Sequence, residues 1–398
     1  MACAATASPR PPSFDIADIF RDHEQAYRRS HTPTPDQEKA WHALVRCRTK
    51  ALGGHLYACD QCGHEVPVYN SCRNRHCPKC QGLAMAKWIA EREEHILPVP
   101  HFHVVFTLPA ELRPLVLFRR EVLFDMLFSC ASRTLLELGN DPHHLGAQLG
   151  FTAVLHTWTR ELLFHPHVHC IVTGGGLSTD GARWIPREKF LFPVDVMGAL
   201  FRGKFLDALR RAHAKGAFAG FDDFEDPEGF DRLMQSIAVK HDSKKWGVYS
   251  KPAFGGAEQV YRYLGRYTHR VGIANGRIVD VCDDAVTFAT KNGATTTVTP
   301  VEFIRRFLLH VLPDRFVKIR HYGLLAPANV NTKLPQARAL LDATGTAVEG
   351  EEPDDGENLE EPIVDDVRRC PACGIGFLLL RHTLSTDSTT DPASHDTS

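Results

Sequence analysis

Three groups of residues in this chain have types and spacings that could do chemistry. The first is the run Phe164-His165-Pro166-His167-Val168-His169-Cys170-Ile171-Val172-Thr173, which leads into Gly174-Gly175-Gly176. In an extended strand alternate side chains share a face, so His165, His167 and His169 line one wall while Val168, Cys170 and Val172 face the core behind them. Imidazole is a common ligand of divalent transition metals, and two ligands on one strand can hold an ion with positions left open for substrate. A His-rich surface strand, or core histidines bonded to backbone, would show the same residues. The apolar flanks and the glycine run instead suggest a buried strand that ends at a site. Ala153-Val154-Leu155-His156-Thr157-Trp158 is a second β-like run just upstream. Paired as a hairpin, it sets His156 across from the neighbourhood of His167, which makes His156 the first choice for a third ligand, ahead of His165 and Glu161. A slip of one residue would turn His156 to the opposite face.

The second group is Glu258-Gln259-Val260-Tyr261-Arg262-Tyr263-Leu264-Gly265-Arg266-Tyr267-Thr268-His269-Arg270. On a helix Tyr263 and Tyr267 fall at i and i+4 on one face, beside a stripe of Arg262, Arg266 and Arg270 about 100° away. A phenolic oxygen can attack phosphorus once its proton is removed and a metal or guanidinium neutralises the charge gathering on the phosphate, which gives a covalent phosphotyrosine. An amphipathic helix with tyrosines packed and arginines exposed explains the same spacing; the histidine strand upstream tips the balance toward chemistry.

The third group is cysteine. Cys59-x-x-Cys62 and Cys77-x-x-Cys80, with fourteen residues between them, place two thiolate pairs on tight turns at the spacing of a zinc ribbon. The expected ion is structural Zn²⁺, because four cysteines leave no position for substrate. Cys47, His55, Cys72 and His76 form a second site or simply pack nearby, and Cys370-x-x-Cys373 is a lone knuckle with no second pair in reach. Arg73, Arg75 and Lys79 sit between the ligands and make the module a candidate DNA-binding surface. Six of the twelve cysteines fall within residues 47–80, a density that points to metal ligation in a reducing compartment rather than to disulfides.

The elements that must position these groups follow from periodicity. Residues 14–50 have helical spacing, interrupted at His31-Thr32-Pro33-Thr34-Pro35, with the second helix capped by Thr34 or Asp36. Strands are expected at 102–108, 152–158 and 166–173, helices at 83–94, 110–139, 195–215 and 301–312, and β structure from Arg277 to Pro300 with turns at Asp283-Asp284 and Asn292-Gly293. Phe316 to Gly323 has the pattern of a basic strand able to track a phosphate backbone. The net charge is −2; residues 342–367 hold eleven acids with no Lys or Arg and 368–398 is neutral, which leaves residues 1–341 at +9. A basic body suits a polyanionic partner, and the acidic segment, read as a disordered tail, would limit non-specific binding. No apolar run approaches the roughly 18 residues of a membrane span, so no membrane is involved and a cytoplasmic protein is expected.

With these pieces in this order, the chain resembles the rolling-circle insertion-sequence transposases of the HUH class (insertion sequence ninety-one type), whose core pairs a His-hydrophobe-His strand with a tyrosine helix. The resemblance runs through Cys59 to Gln81, His165 to Gly176, Tyr261 to Arg270 and Phe316 to Gly323. It implies an α+β chain: a helical zinc-ribbon domain (14–95), a ferredoxin-like antiparallel HUH catalytic domain (100–330) and the acidic tail (342–398) with its lone knuckle. It also implies His167 and His169 as the pair holding catalytic Mg²⁺ or Mn²⁺, Tyr263 and Tyr267 as nucleophiles, and single-stranded DNA at insertion-sequence ends and target as the substrate. A zinc-ribbon DNA-binding protein with an inactive core, and a metal phosphoesterase using water, remain the alternative readings of the same residues.

Overall fold

The computed structural model describes residues 14–80, 88–89, 94–189, 191–240, 246–252, 272–344 and 369–386. Along the chain its strands are β1 (Gly54–Cys59), β2 (Glu65–Tyr69), β3 (His101–Thr107), β4 (Ala147–Trp158), β5 (Phe164–Ser178), β6 (Trp184–Pro186), β7 (Val248–Pro252), β8 (Ile278–Val281), β9 (Val286–Ala289), β10 (Thr295–Val298), β11 (Ile319–Gly323) and β12 (Leu378–Leu384). The chain divides into two compact units, one of Met1–Leu83, Ile273–Val311 and Asp354–Ser398, the other of Ala84–Gly272 and Leu312–Pro353.

In the first unit, helix Pro35–Arg46 begins where Thr34 and Gln37 exchange side-chain and backbone hydrogen bonds in a capping box. Gln37 also donates to the Leu308 carbonyl at 2.9 Å, and Phe20 packs edge-on against both Trp41 and Phe307. Helix Pro300–Leu308 is thereby joined to the N-terminal helices, although the sequence reading places residues 273–311 within the catalytic stretch. The small sheet β10-β9-β8 precedes that helix, with Asn292 and Gly293 at positive φ in the turn between β9 and β10, as the Asn-Gly pair predicts. The other sheet here is β12-β1-β2, so part of the segment expected to be a disordered tail is a paired strand.

The second unit is built on β3, helix Arg120–Asn140, β4, β5, helix Val194–Ala214 and β7. Its antiparallel sheet runs β7-β3-β5-β4, with β11 added on the outer edge of β4 and β6 pairing β5. Two split βαβ units in that order make the ferredoxin-like arrangement. One face of the sheet carries Phe102, Val104 and Phe106 from β3, Phe151, Ala153 and Leu155 from β4, and Val168, Cys170 and Val172 from β5, each no more than 1% exposed. Phe106 meets Phe201 of the second helix with ring centroids 5.0 Å apart. The glycine run does not end β5, which continues to Ser178. A Cβ on Gly174 would lie 2.4 Å from the Pro100 carbonyl oxygen, and one on Gly175, at φ +135°, 2.4 Å from that of Ile185. These glycines therefore admit neighbouring backbone rather than a ligand. Helix Lys333–Thr344 also belongs to this unit, with Leu334, Ala337 and Leu341 packed against Leu97, Val99 and Leu177, beyond the expected end of the domain at 330.

Candidate metal centre

The hairpin β4–β5 sets the site. Its turn is closed by Thr159 and Leu163, with Leu162 buried at φ 59°, and the resulting register pairs His156 with His167 and Val154 with His169. Strand β3 lies on the other side of β5, where Thr107 pairs with His167, Val105 with His169 and His103 with Ile171. Because side chains alternate, His103, His156, His167 and His169 all project from the face opposite helices Arg120–Asn140 and Val194–Ala214. Donor nitrogens of His156, His167 and His169 lie within 4.8 Å of one another, a spacing that one cation could bridge. His165 does not join them: its Nδ1 lies 3.4 Å from the Arg113 guanidinium. Glu161 is absent from the group as well, its backbone turned into the hairpin loop by Thr159.

The hydrogen bonds around these rings suit a metal. His167 donates from Nδ1 to its neighbour His165's carbonyl oxygen at 2.6 Å, which fixes the tautomer and leaves the lone pair on Nε2. His169 shares a hydrogen bond of 2.7 Å between its Nδ1 and Nε2 of His103, the two rings stacked at 12°. The other nitrogen of His169 is buried with no hydrogen-bond partner among the described residues, an arrangement that is costly unless something is bound there. Burial holds His167 down to about 4 and pushes His169 well below the usual imidazole range, so both rings are neutral at neutral pH and offer lone pairs. His103, which the sequence reading passed over inside an apolar strand, shares the parity of Val105 and Thr107 and so reaches the same wall.

The cysteines assemble differently from the expectation. Cys77 and Cys80 gather with Cys47 and Cys72, whereas Cys59 and Cys62 gather with Cys370 and Cys373. The two Cys-x-x-Cys motifs of the N-terminal segment thus belong to separate groups, because β1 and β2 carry the first knuckle away from the second. Cys370-x-x-Cys373 is not a lone knuckle. In the first group the Sγ separations are 3.4 Å for Cys47–Cys80 and 3.6 Å for Cys72–Cys80, too long for a disulfide and close to the edge of about 3.8 Å that Zn–S bonds of about 2.3 Å give in a tetrahedron. Thiol hydrogen bonds from Cys72 and Cys77 hold Cys47 well below the usual thiol range. His55 and His76 stay outside both groups, and His76 bonds Asn74 instead.

Of the expected DNA-contacting cations, Lys79 is bound to Asp15 at 2.7 Å and is only 17% exposed, while Arg73 is exposed. Arg75 is half-buried. In β11 Arg320 pairs with Asp125 and lies over the Phe128 ring at 4.2 Å, so this strand is tied into its own unit rather than presenting a free basic row. Tyr263, Tyr267, Arg262, Arg266 and Arg270 lie outside the described residues. No helix among the described residues is long and apolar enough to cross a membrane.

Two family models match the chain: "Transposase zinc-binding domain" over residues 19–108 and "Putative transposase" over residues 150–333. Neither match reaches Cys370 or Cys373. A "Putative transposase" from Sinorhizobium fredii is 44% identical over 378 residues, covering 92% of this chain and 94% of the relative. The transposase for insertion sequence element IS801 from Pseudomonas savastanoi pv. phaseolicola is 26% identical over 321 residues, covering 75% of this chain and 72% of its own. No solved structure matches.

Proposed function

This chain belongs to the transposases of the IS91/IS801 type, and we propose that it moves its element by cutting and rejoining single-stranded DNA through a covalent 5′-phosphotyrosine, in a rolling-circle-like manner. The observation that carries this is the cluster of three histidines on one sheet face, with a buried nitrogen of His169 left for a ligand. His156, His167 and His169 would hold Mg²⁺ or Mn²⁺, which when bound supplies Lewis-acid polarisation of the scissile phosphate. His103 orients the His169 ring and the His165 carbonyl orients that of His167. The phenolic oxygen of Tyr263 or Tyr267 attacks phosphorus and gives up its proton, the bond from phosphorus to the 3′ oxygen breaks, and the departing 3′ oxygen takes up a proton to become the 3′ hydroxyl. An unperturbed phenol titrates near 10, so deprotonation needs assistance, for which Arg266 and Arg270 are placed by sequence. Two tyrosines allow one to cleave while the other accepts the strand in transfer.

Labelled single-stranded DNA incubated with the protein and Mn²⁺, then run on a denaturing gel, tests this. A protein-linked label is expected from the wild type, one round of cleavage without completed transfer from Tyr263→Phe or Tyr267→Phe, and no adduct from the double variant. Alanine at His167 or His169 should abolish cleavage and leave DNA binding nearly intact. Cutting at the wild-type rate by the double Phe variant would make water the nucleophile and the protein a phosphoesterase.

A further inference from the structure

We propose that Cys59, Cys62, Cys370 and Cys373 bind a second, structural Zn²⁺, which closes a zinc ribbon whose two knuckles are more than 300 residues apart in sequence. The Sγ atoms of Cys59 and Cys373, 314 residues apart, lie at 3.7 Å, and those of Cys62 and Cys370, 308 apart, also at 3.7 Å. All four sit within 4.8 Å of one another. These are edges of a thiolate tetrahedron of about 3.8 Å, and they exceed the roughly 2.05 Å of a disulfide by far.

The two knuckles repeat one another in detail. After Cys59 the Gly63 amide donates to the Cys59 carbonyl at 3.1 Å, and after Cys370 the Gly374 amide donates to the Cys370 carbonyl at 3.0 Å. The two glycines have φ of 70° and 69°. Backbone amides point at the sulfurs in both: Gln61 and Cys62 at Cys59, and Gly376 at Cys373. Such N–H···S contacts stabilise sulfur as thiolate, the form that ligates metal. The knuckles are also fitted to each other. Phe377 donates its amide to the Asp60 carboxylate at 2.8 Å while Asp60 donates its own to the Phe377 carbonyl at 3.0 Å. A Cβ on Gly376 would lie 2.4 Å from the Cys59 sulfur, so only glycine admits this approach.

Apolar burial cannot hold this sheet. β1 is the central strand, with β2 on one edge and β12 on the other, and neither edge strand contains a buried residue. Without β12 a two-stranded hairpin remains, which is marginal in water. A metal bound by ligands from both segments supplies what packing does not. It also means that the acidic run is flanked on both sides by folded segments rather than hanging from one.

Native mass spectrometry of the full chain should show two Zn²⁺, with one lost in Cys370→Ser/Cys373→Ser and the other retained. Because a Ser variant can misfold, the wild type is also treated with a graded Zn²⁺ chelator and a thiol alkylating agent, followed by peptide mapping. The expected result is protection of all eight ligands before chelation, then joint modification of Cys59, Cys62, Cys370 and Cys373, separately from Cys47, Cys72, Cys77 and Cys80. A single Zn²⁺ with Cys370 and Cys373 alkylated at the rate of free thiols, or Cys59 and Cys62 released together with Cys77 and Cys80, overturns the assignment.

Discussion

The ribbon sheet β12-β1-β2 and the large sheet of the second unit both present metal-ligating side chains, but they are held by opposite means. On the ribbon the ligands sit on turns and the edge strands are exposed. On the large sheet the histidines sit mid-strand, and the far face of the same strands is nearly free of solvent. Where the shape depends on ligands, the ion proposed is structural, with every coordination position taken by the protein. Where the shape stands without an ion, a histidine set can leave coordination positions open for substrate.

The largest effect that could break this contrast is metal removal. Zinc contributes on the order of 10 kcal/mol to small metal-dependent modules, so exhaustive chelation should release residues 47–80 and 369–386 to fast amide exchange while 147–178 stays protected. Hydrogen exchange read by mass spectrometry checks this, and equal loss of protection in both regions would erase the distinction. The converse perturbation is Phe106→Ala. It removes a fully buried ring packed on Phe201 and should cost the second unit about 3–5 kcal/mol, seen as a lowered melting temperature at unchanged zinc content.

A smaller effect comes from pH. His101 is buried, with Nδ1 bonded to the Val99 carbonyl, and burial holds it down to about 4 against an ordinary value of 6.5. The unfolded chain therefore binds more protons than the folded one between those values. The stability contributed is complete above 6.5 and is lost as pH falls toward 4. Urea unfolding across that window should show the decline, and His101→Gln should reduce its slope without abolishing it, since His103, His167 and His169 are held down by burial as well; an unchanged slope would remove His101 as a contributor. The smallest expected effect is electrostatic. Replacing the acids between 349 and 366 by their amides should tighten single-stranded DNA binding several-fold at low salt and less at high salt. Deleting 342–398 is a poorer probe, because it also takes away β12 and two cysteines. Salt titrations that superimpose for both forms would deny the acidic run any role.

What was legible in the sequence divides along the same line. Alternation at His165, His167 and His169 and the short link to His156 pointed to the hairpin partners, because local pairing and period-two geometry act together, but the register that faces His156 with His167 came from the structure. Asn292-Gly293 marked its turn for the same local reason, and of the two candidate caps, Thr34 and Asp36, it is Thr34 that starts the helix. The cysteine partnership was not legible, since spacing tells which two thiols share a knuckle but not which knuckles meet across 308 residues. His103 was hidden because it opens a largely apolar strand that reads as core, and only the pairing of β3 with β5 brings its ring to His169. Arg320 looked like part of a basic row until Asp125 and Phe128 accounted for it.

The proposed covalent step would join the histidine wall to the tyrosine pair, and it can be read on one peptide. The wild-type protein is incubated with single-stranded DNA and Mn²⁺, the product is trimmed with nuclease and digested with trypsin, and the fragments are sequenced by mass spectrometry. The account predicts a nucleotide esterified through its 5′ phosphate to Tyr263 or Tyr267, absent when His167 is alanine. Cleaved DNA bearing a free 5′ phosphate, with both tyrosine peptides unmodified throughout the time course, would contradict it.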